Sequence, residues 1–192
     1  MDYRKFGETY YVRMDKGDEI ISMILGICQR EQIESAIFSG IGGCRSAEIQ
    51  TFIPETGSFE VQELKGMLEL VSLTGNVVTD DAGAYFHHTH AAFSYKKDGE
   101  HHIAAGHIKS IEVLYTAEIE LRPVLGGRIR RKYDPETGTG FWARNGLTGS
   151  CMMFHHARSF FCADSLQNCP KSIYKKRAFY ELVADSKVKA KN

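Results

Sequence analysis

The chain has 192 residues, 43% of them hydrophobic, which suits one domain with a real core plus an appendage, not two full domains. The first residues, Met1 to Phe6, are polar and charged, and no run approaches the roughly 20 apolar residues that cross a bilayer, so a cytoplasmic protein without membrane contact is expected. Formal net charge is zero, yet residues 1–125 hold 11 Lys and Arg against 19 Asp and Glu while residues 126–192 hold 13 against 5. An acidic surface repels a nucleic-acid duplex, so any attraction for phosphate falls in the C-terminal third.

In chain order, Glu8 to Met14 is aromatic and β-branched and reads as a first strand, followed by a turn at Asp15 to Gly17. Asp18 is placed to cap a helix on which Ile20, Ile21, Ile24, Leu25 and Cys28 share one face. Short strand-like segments then follow at Ala36–Ser39, Ala47–Ile53, Phe59–Leu64, Met67–Val78, Phe86–Tyr95, His101–Ile108 and Ile111–Leu121. Ser39-Gly40-Ile41-Gly42-Gly43 lacks the Gly-Lys-Ser/Thr ending of a phosphate-binding loop and reads as a tight turn between strands, as does Gly75-Asn76. One early helix followed by strands without intervening helices predicts an α+β fold, a mostly antiparallel sheet with one main N-terminal helix. Residues 1–125 form the expected domain. Residues 126–192 form a basic extension with a turn at Asp134–Gly138, a short helix over Tyr174–Val183 and a disordered end at Lys187–Asn192.

The central hairpin carries the chemistry. In Phe-His-His-Thr-His (86–90) a strand puts His88 and His90 on one face and His87 on the other. Asp98-Gly99 between two β-prone runs is a strong signal for a two-residue hairpin turn, which makes Lys97 face Glu100. Counting back, His90 faces His107 and His88 lies on the diagonal, provided that Ala104-Ala105-Gly106 holds no bulge. Three imidazoles meeting over one patch suit a divalent metal ion, zinc first because three nitrogens leave a fourth position open, with nickel, copper or iron behind.

Other candidates are weaker. Glu69, between apolar neighbours in Leu68–Val71, could serve as a general acid or base, and Glu69 or Arg13 could assist an ion that polarises a substrate oxygen. Arg128, Arg130, Arg131 and Lys132 could grip DNA phosphates. Five cysteines, Cys28, Cys44, Cys151, Cys162 and Cys169, show no Cys-x-x-Cys pair and read as reduced thiols, two of them in the core. His155-His156 near Cys151, Cys162 and Cys169 matches no ligand spacing, and His101 and His102 sit by the hairpin turn as solvated side chains.

The order of motifs resembles the plant and prokaryote conserved domain, the PPC family. The matching pieces are Tyr11-Val12-Arg13 with Gly17-Asp18-Glu19, Ser39-Gly40-Ile41-Gly42, the run Leu68 to Asn76, His88-Thr89-His90 and Gly106-His107, together spanning about residues 8–122. Arg131-Lys132-Tyr133-Asp134 with Glu136-Thr137-Gly138 also looks like the segment that follows the domain in bacterial members. The resemblance implies a homotrimer, a histidine-lined metal site in some members and a DNA-associated, regulatory role best supported in plants. The Arg-Gly-Arg-Pro hook of the plant proteins is missing from this sequence, and Ala105-Gly106-His107 replaces the family's Gly-Gly-His. The fold is similar also to acetolactate decarboxylase, a zinc enzyme with a histidine triad. That likeness implies an alternative function, a metal-dependent lyase or hydrolase acting on a small carbonyl or carboxylate compound.

Overall fold

The chain is described by a computed structural model that covers residues 1–136 and 138–143. Among them the elements run β1 (Asp2–Phe6), β2 (Thr9–Asp15), α1 (Ile20–Arg30), β3 (Ser35–Ile53), β4 (Ser58–Thr79), β5 (Tyr85–Lys97), β6 (Glu100–Pro123), β7 (Arg131–Asp134) and β8 (Thr139–Trp142). All pairings between these strands are antiparallel, as the α+β reading requires. The main sheet has the order β1-β2-β6-β3-β4-β5, and β5 pairs again with β6, so β3, β4, β5 and β6 close on themselves. β7 and β8 make a separate hairpin around the turn expected from Asp134 to Gly138.

The closure works because β6 is long enough to serve three neighbours. One of its edges pairs with β3 from His107 to Pro123, and the other is shared between β5 at Glu100–His107 and β2 at Thr116–Leu121. The turn leading into α1 fills the interval: Gly17 donates to the Val113 carbonyl, and Val113 donates to the Asp18 carbonyl, each at 3.0 Å. Period-two burial along the strands points Tyr10, Val12 and Met14 of β2, Phe93 of β5 and Ile108, Ile111 and Val113 of β6 into one core with Ile20, Ile24, Ile27 and Cys28 of the helix. Each fully buried Leu, Ile or Phe contributes about 1.5–3 kcal/mol through the water it sheds.

Four expectations are corrected. The helix is capped by Glu19, not Asp18: the Glu19 carboxylate accepts from Ile21 N at 3.2 Å, Ser22 N at 2.7 Å and, across to β6, Ile111 N at 3.1 Å. The shorter Asp18 side chain instead accepts from Asp15 N at 2.9 Å and closes the preceding turn. The segments read as separate strands fuse into β3, β4 and β6, so Ser39–Gly43 and Gly75–Asn76 lie inside strands and not at turns. The charged first residues form the edge strand β1, whose exposed composition carries no apolar alternation to read.

The glycines of β3 serve close approach. A Cβ on Gly42 would lie 2.7 Å from the Thr116 carbonyl oxygen and 2.8 Å from the Ala117 Cα, both backbone atoms of β6. Since backbone of a paired strand has little room to give, Gly42→Ala is expected to lower stability by about 1–3 kcal/mol. Urea denaturation checks this as a lowered midpoint with an unchanged slope.

Candidate metal centre

Asp98 and Gly99 have φ of 52° and 85°, the pair of positive values that a type I′ turn demands. From Lys97↔Glu100 the register runs through eight successive pairs without a shift and ends at His90↔His107. The β5–β6 pairing has no bulge at Ala104–Gly106; the register shifts of β6 lie on its β3 edge, the nearest between Glu48 and Ile49, where Lys109 is skipped in the pairing. Its ammonium bridges Glu48 at 3.1 Å, and Ser110 Oγ donates to the same carboxylate at 2.9 Å. The hairpin register is untouched.

His88, His90 and His107 face outward together, the first two exposed and the third half-buried. Their ring centroids are 5.2, 5.2 and 5.4 Å apart, one nitrogen from each lies within 4.8 Å of the others, and His88 Nε2 and His90 Nε2 are 3.2 Å apart. An ion held tetrahedrally at about 2.0–2.1 Å per nitrogen needs nitrogen pairs about 3.3–3.4 Å apart, so one pair is already set and small ring rotations of His107 close the rest. Burial pushes the His88 and His107 pKa values down, and the neighbouring imidazoles push in the same direction. Both effects keep the rings neutral, the form that ligates a metal. His87 points to the inner side, where its Nδ1 is 3.0 Å from Thr89 Oγ1. Gly106 also faces inward, against Ile49 Cγ2 at 2.8 Å from where a Cβ would stand, while Ala105 is exposed and turns its methyl to the histidine face.

Sequence reasoning missed an aromatic neighbour. Phe59 of β4 has its ring centroid 6.1 Å from that of His107, at an interplanar angle of 30°, and Phe52 of β3 lies 5.3 Å from Phe59. The signal available was two phenylalanines flanking Pro54–Gly57, a hairpin that pairs Phe52 with Phe59. Nothing local ties either to His107.

The remaining candidates lie apart from the cluster. Glu69 is exposed and pairs with Ser94, about 13 Å along β5 from His90. Arg13 pairs with Glu118, about 36 Å along β6 from His107, and its guanidinium contacts Asp15 at 3.2 Å. With Tyr11, Ile41, Val71 and Glu120 it lines an open depression of about 620 Å³. Of the basic group, Arg128 contacts Glu34 at 2.6 Å, Arg130 reaches Glu34 at 3.8 Å and donates to the Asp80 carbonyl, and Arg131 lies 4.2 Å over the Phe86 ring. Lys132 is exposed. His101 is exposed, whereas His102 is half-buried and stacks on Tyr95 at 5.7 Å. Among the described residues Cys28 and Cys44 are core thiols, each pushed up to about 12 by burial and hence inert at neutral pH. The expectations for Cys151, His155, His156, Cys162, Cys169, the helix at Tyr174–Val183 and the last residues lie outside the described residues.

A closed antiparallel sheet sealed by one helix, with three histidines converging on its outer face where they could hold a metal ion, defines a small α+β domain. The chain belongs to the family of the Plants and Prokaryotes Conserved (PCC) domain, which matches residues 1–124 and is the PPC family that its motifs resemble. A plant- and prokaryote-conserved (PPC) protein of Pyrococcus horikoshii is 35% identical, with a TM-score of 0.64, over 74% of this chain and 94% of that one. A protein of Archaeoglobus fulgidus, described as metal-containing, is 31% identical with a TM-score of 0.63, over 74% and 99%. A protein of Bacteroides thetaiotaomicron, described as a candidate DNA-binding protein, is 25% identical with a TM-score of 0.67, over 74% and 96%. No curated protein matches the chain. Among the described residues no helix is long and apolar enough to cross a membrane.

Two outcomes follow for the cluster. His107→Ala is expected to abolish uptake of a divalent ion, read by elemental analysis beside the unchanged chain. Depressed histidine values also set a sign: above the ordinary imidazole value of 6.5 folded and unfolded chains are both neutral, and below it the unfolded chain takes protons first. Stability and metal content should therefore be flat well above the ordinary imidazole value and fall together as pH drops below it, followed by thermal unfolding and metal analysis of dialysed samples.

Proposed function

We propose that this protein is a homotrimeric, cytoplasmic regulator of the PCC type that holds a divalent ion, zinc first, on His88, His90 and His107 and associates with DNA through its basic C-terminal part. The observation that carries the metal reading is the convergence of three imidazoles on one outward patch. A fourth position open to solvent suits zinc. The metal-containing and candidate DNA-binding descriptions of two relatives agree with the two halves of the reading.

For assembly, the support is an apolar outer surface. Tyr11 of β2, Ile41 of β3, Val71 of β4 and Tyr115 of β6 are 50%, 57%, 59% and 68% exposed. Apolar side chains left on several adjoining strands mark a face that another chain covers. Residues 1–125 act as the assembling domain and 126–192 as the extension. Ile41→Arg with Val71→Arg is expected to convert trimers to monomers, read by sedimentation equilibrium, and an unchanged mass would reject this face as the interface.

For DNA, the excess of 13 Lys and Arg over 5 Asp and Glu in residues 126–192 supplies the charge. Because Arg128, Arg130 and Arg131 already contact Glu34 or Phe86, Lys132 and the residues beyond 143 carry most of what is available. Anisotropy titration with duplex DNA should show affinity falling steeply as salt rises, and a variant ending at Ala143, which keeps β7 and β8, should lose most of it. Undetectable binding of the full chain at low salt overturns the DNA reading.

The second reading is a metal-dependent lyase or hydrolase on a small carbonyl or carboxylate compound, favoured by the accessible coordination position. Within one protomer Glu69 and Arg13 are too distant to assist it, so the general acid or base would come from elsewhere.

A further inference from the structure

We infer that the histidine cluster is one half of a binding site for a small organic anion: a carboxylate bearing a flat apolar body, the carboxylate on the ion and the body against Phe59. The inference rests on the metal reading of the cluster and adds to it a ligand class and the residues that select it.

The head group follows from charge. Among the described residues, no Asp, Glu or Cys joins His88, His90 and His107 in the cluster. Three neutral imidazoles leave a divalent ion with its full charge of two, and its open positions face solvent. A hard, anionic oxygen donor neutralises that charge where water or an alcohol does not.

The body follows from the wall. Phe59 lies 6.1 Å from the His107 ring, near enough to parallel that the two planes form a shallow V at the edge of the cluster. Phe52 backs it at 5.3 Å, and Val61 pairs with Gln50, which in turn pairs with His107. Phe52, Phe59 and Val61 are 49%, 54% and 44% exposed and belong to the projecting part of the β3–β4 hairpin, outside the buried core. They do not hold the domain together, so their exposed apolar area has no folding role to explain it. On the other side of the triad the next outward pair is Ala92 and Ala105, two methyl groups that leave room above the sheet. The result is a cationic centre with an aromatic plane on one side and a low floor on the other. An aromatic ring stacks offset on such a plane, and a bare carboxylate gains nothing from it.

Cobalt(II)-loaded full-length protein provides the test, because its visible spectrum reports a new ligand on the ion. Benzoate is expected to bind at least tenfold more tightly than acetate, about 1.4 kcal/mol, and benzyl alcohol to leave the spectrum unchanged. In Phe59→Ala, and more weakly in Phe52→Ala, the benzoate advantage should fall below about threefold while cobalt affinity stays within twofold of the unchanged chain, which also certifies folding. Equal binding of benzoate and acetate to the unchanged chain, or an advantage that survives both substitutions, overturns the aromatic wall with the metal site intact. Failure of cobalt uptake, or uptake that persists in His107→Ala, overturns the metal reading itself and this inference with it.

Discussion

The geometry of the histidine face is set by the hydrogen-bond register between β5 and β6, and that register is held from two directions. At the tip, the positive φ values of Asp98 and Gly99 make the tight turn that aligns Lys97 with Glu100. Along the strands, Ala91 and Phe93 on β5 and Ile108 on β6 are buried at 5%, 0% and 0% exposure. A slip of one residue on either strand would turn those side chains out and bring histidines in, forfeiting about 1.5–3 kcal/mol for each large apolar side chain exposed. The outward histidines are thus located by the inward residues between them, and the core protects the site without touching it.

The same strand spreads this constraint through the domain. β6 passes from β5 to β2 along one edge while β3 follows the other, so any shift in it would be felt at every pairing of the closed sheet. Register shifts on the β3 edge, at Gly42–Ser46 and at Glu48–Ile49, and a helix cap on the other edge absorb the mismatch. Lys109 is left out of the β3 ladder, which adds local twist just after His107 and leaves the β5 edge in step. Glu19 caps the helix and binds Ile111 N with one carboxylate, so α1 is fastened where β6 has no strand neighbour on that edge. The long Glu side chain performs both tasks. Asp18, one methylene shorter, is confined to its own turn.

This division explains what could be read from the sequence. The histidine hairpin was legible because each step is local: period-two alternation, a two-residue turn and a count of opposite residues. The helix face was legible for the same reason, though Ile27 is buried where Leu25 was expected to be and is half-covered. The fused strands were not legible, since glycine at 40, 42 and 43 carries the same local signature whether it bends a chain or lets two backbones touch. The contact that decides, Gly42 against Thr116 and Ala117, spans more than seventy residues. β1 was missed because an edge strand open to water needs no apolar alternation. Phe59 beside His107 was invisible on similar grounds: its meaning comes from a partner on another strand.

Charge shows the difference between counting and placing most clearly. The sequence divides into an acidic and a basic part, but the first basic residues after the domain are spent within the chain. Arg128 and Arg130 share the Glu34 carboxylate, Ile129 N donates to Ser35 Oγ at 2.9 Å, and Arg131 covers Phe86, the residue that begins the histidine run. These contacts differ in how readily a phosphate could displace them. The Arg128 side chain is 50% exposed, and an ion pair so open to water contributes at most about 1 kcal/mol, which a phosphate contact matches. Arg130 is 20% exposed and donates to the Asp80 carbonyl, which also accepts from Gly83 N at 3.2 Å, so a phosphate that drew it away would have to replace both this bond and its contact with Glu34. Arg130 therefore holds the segment after β6 against the end of β4, while Arg128 and Lys132 remain able to turn outward.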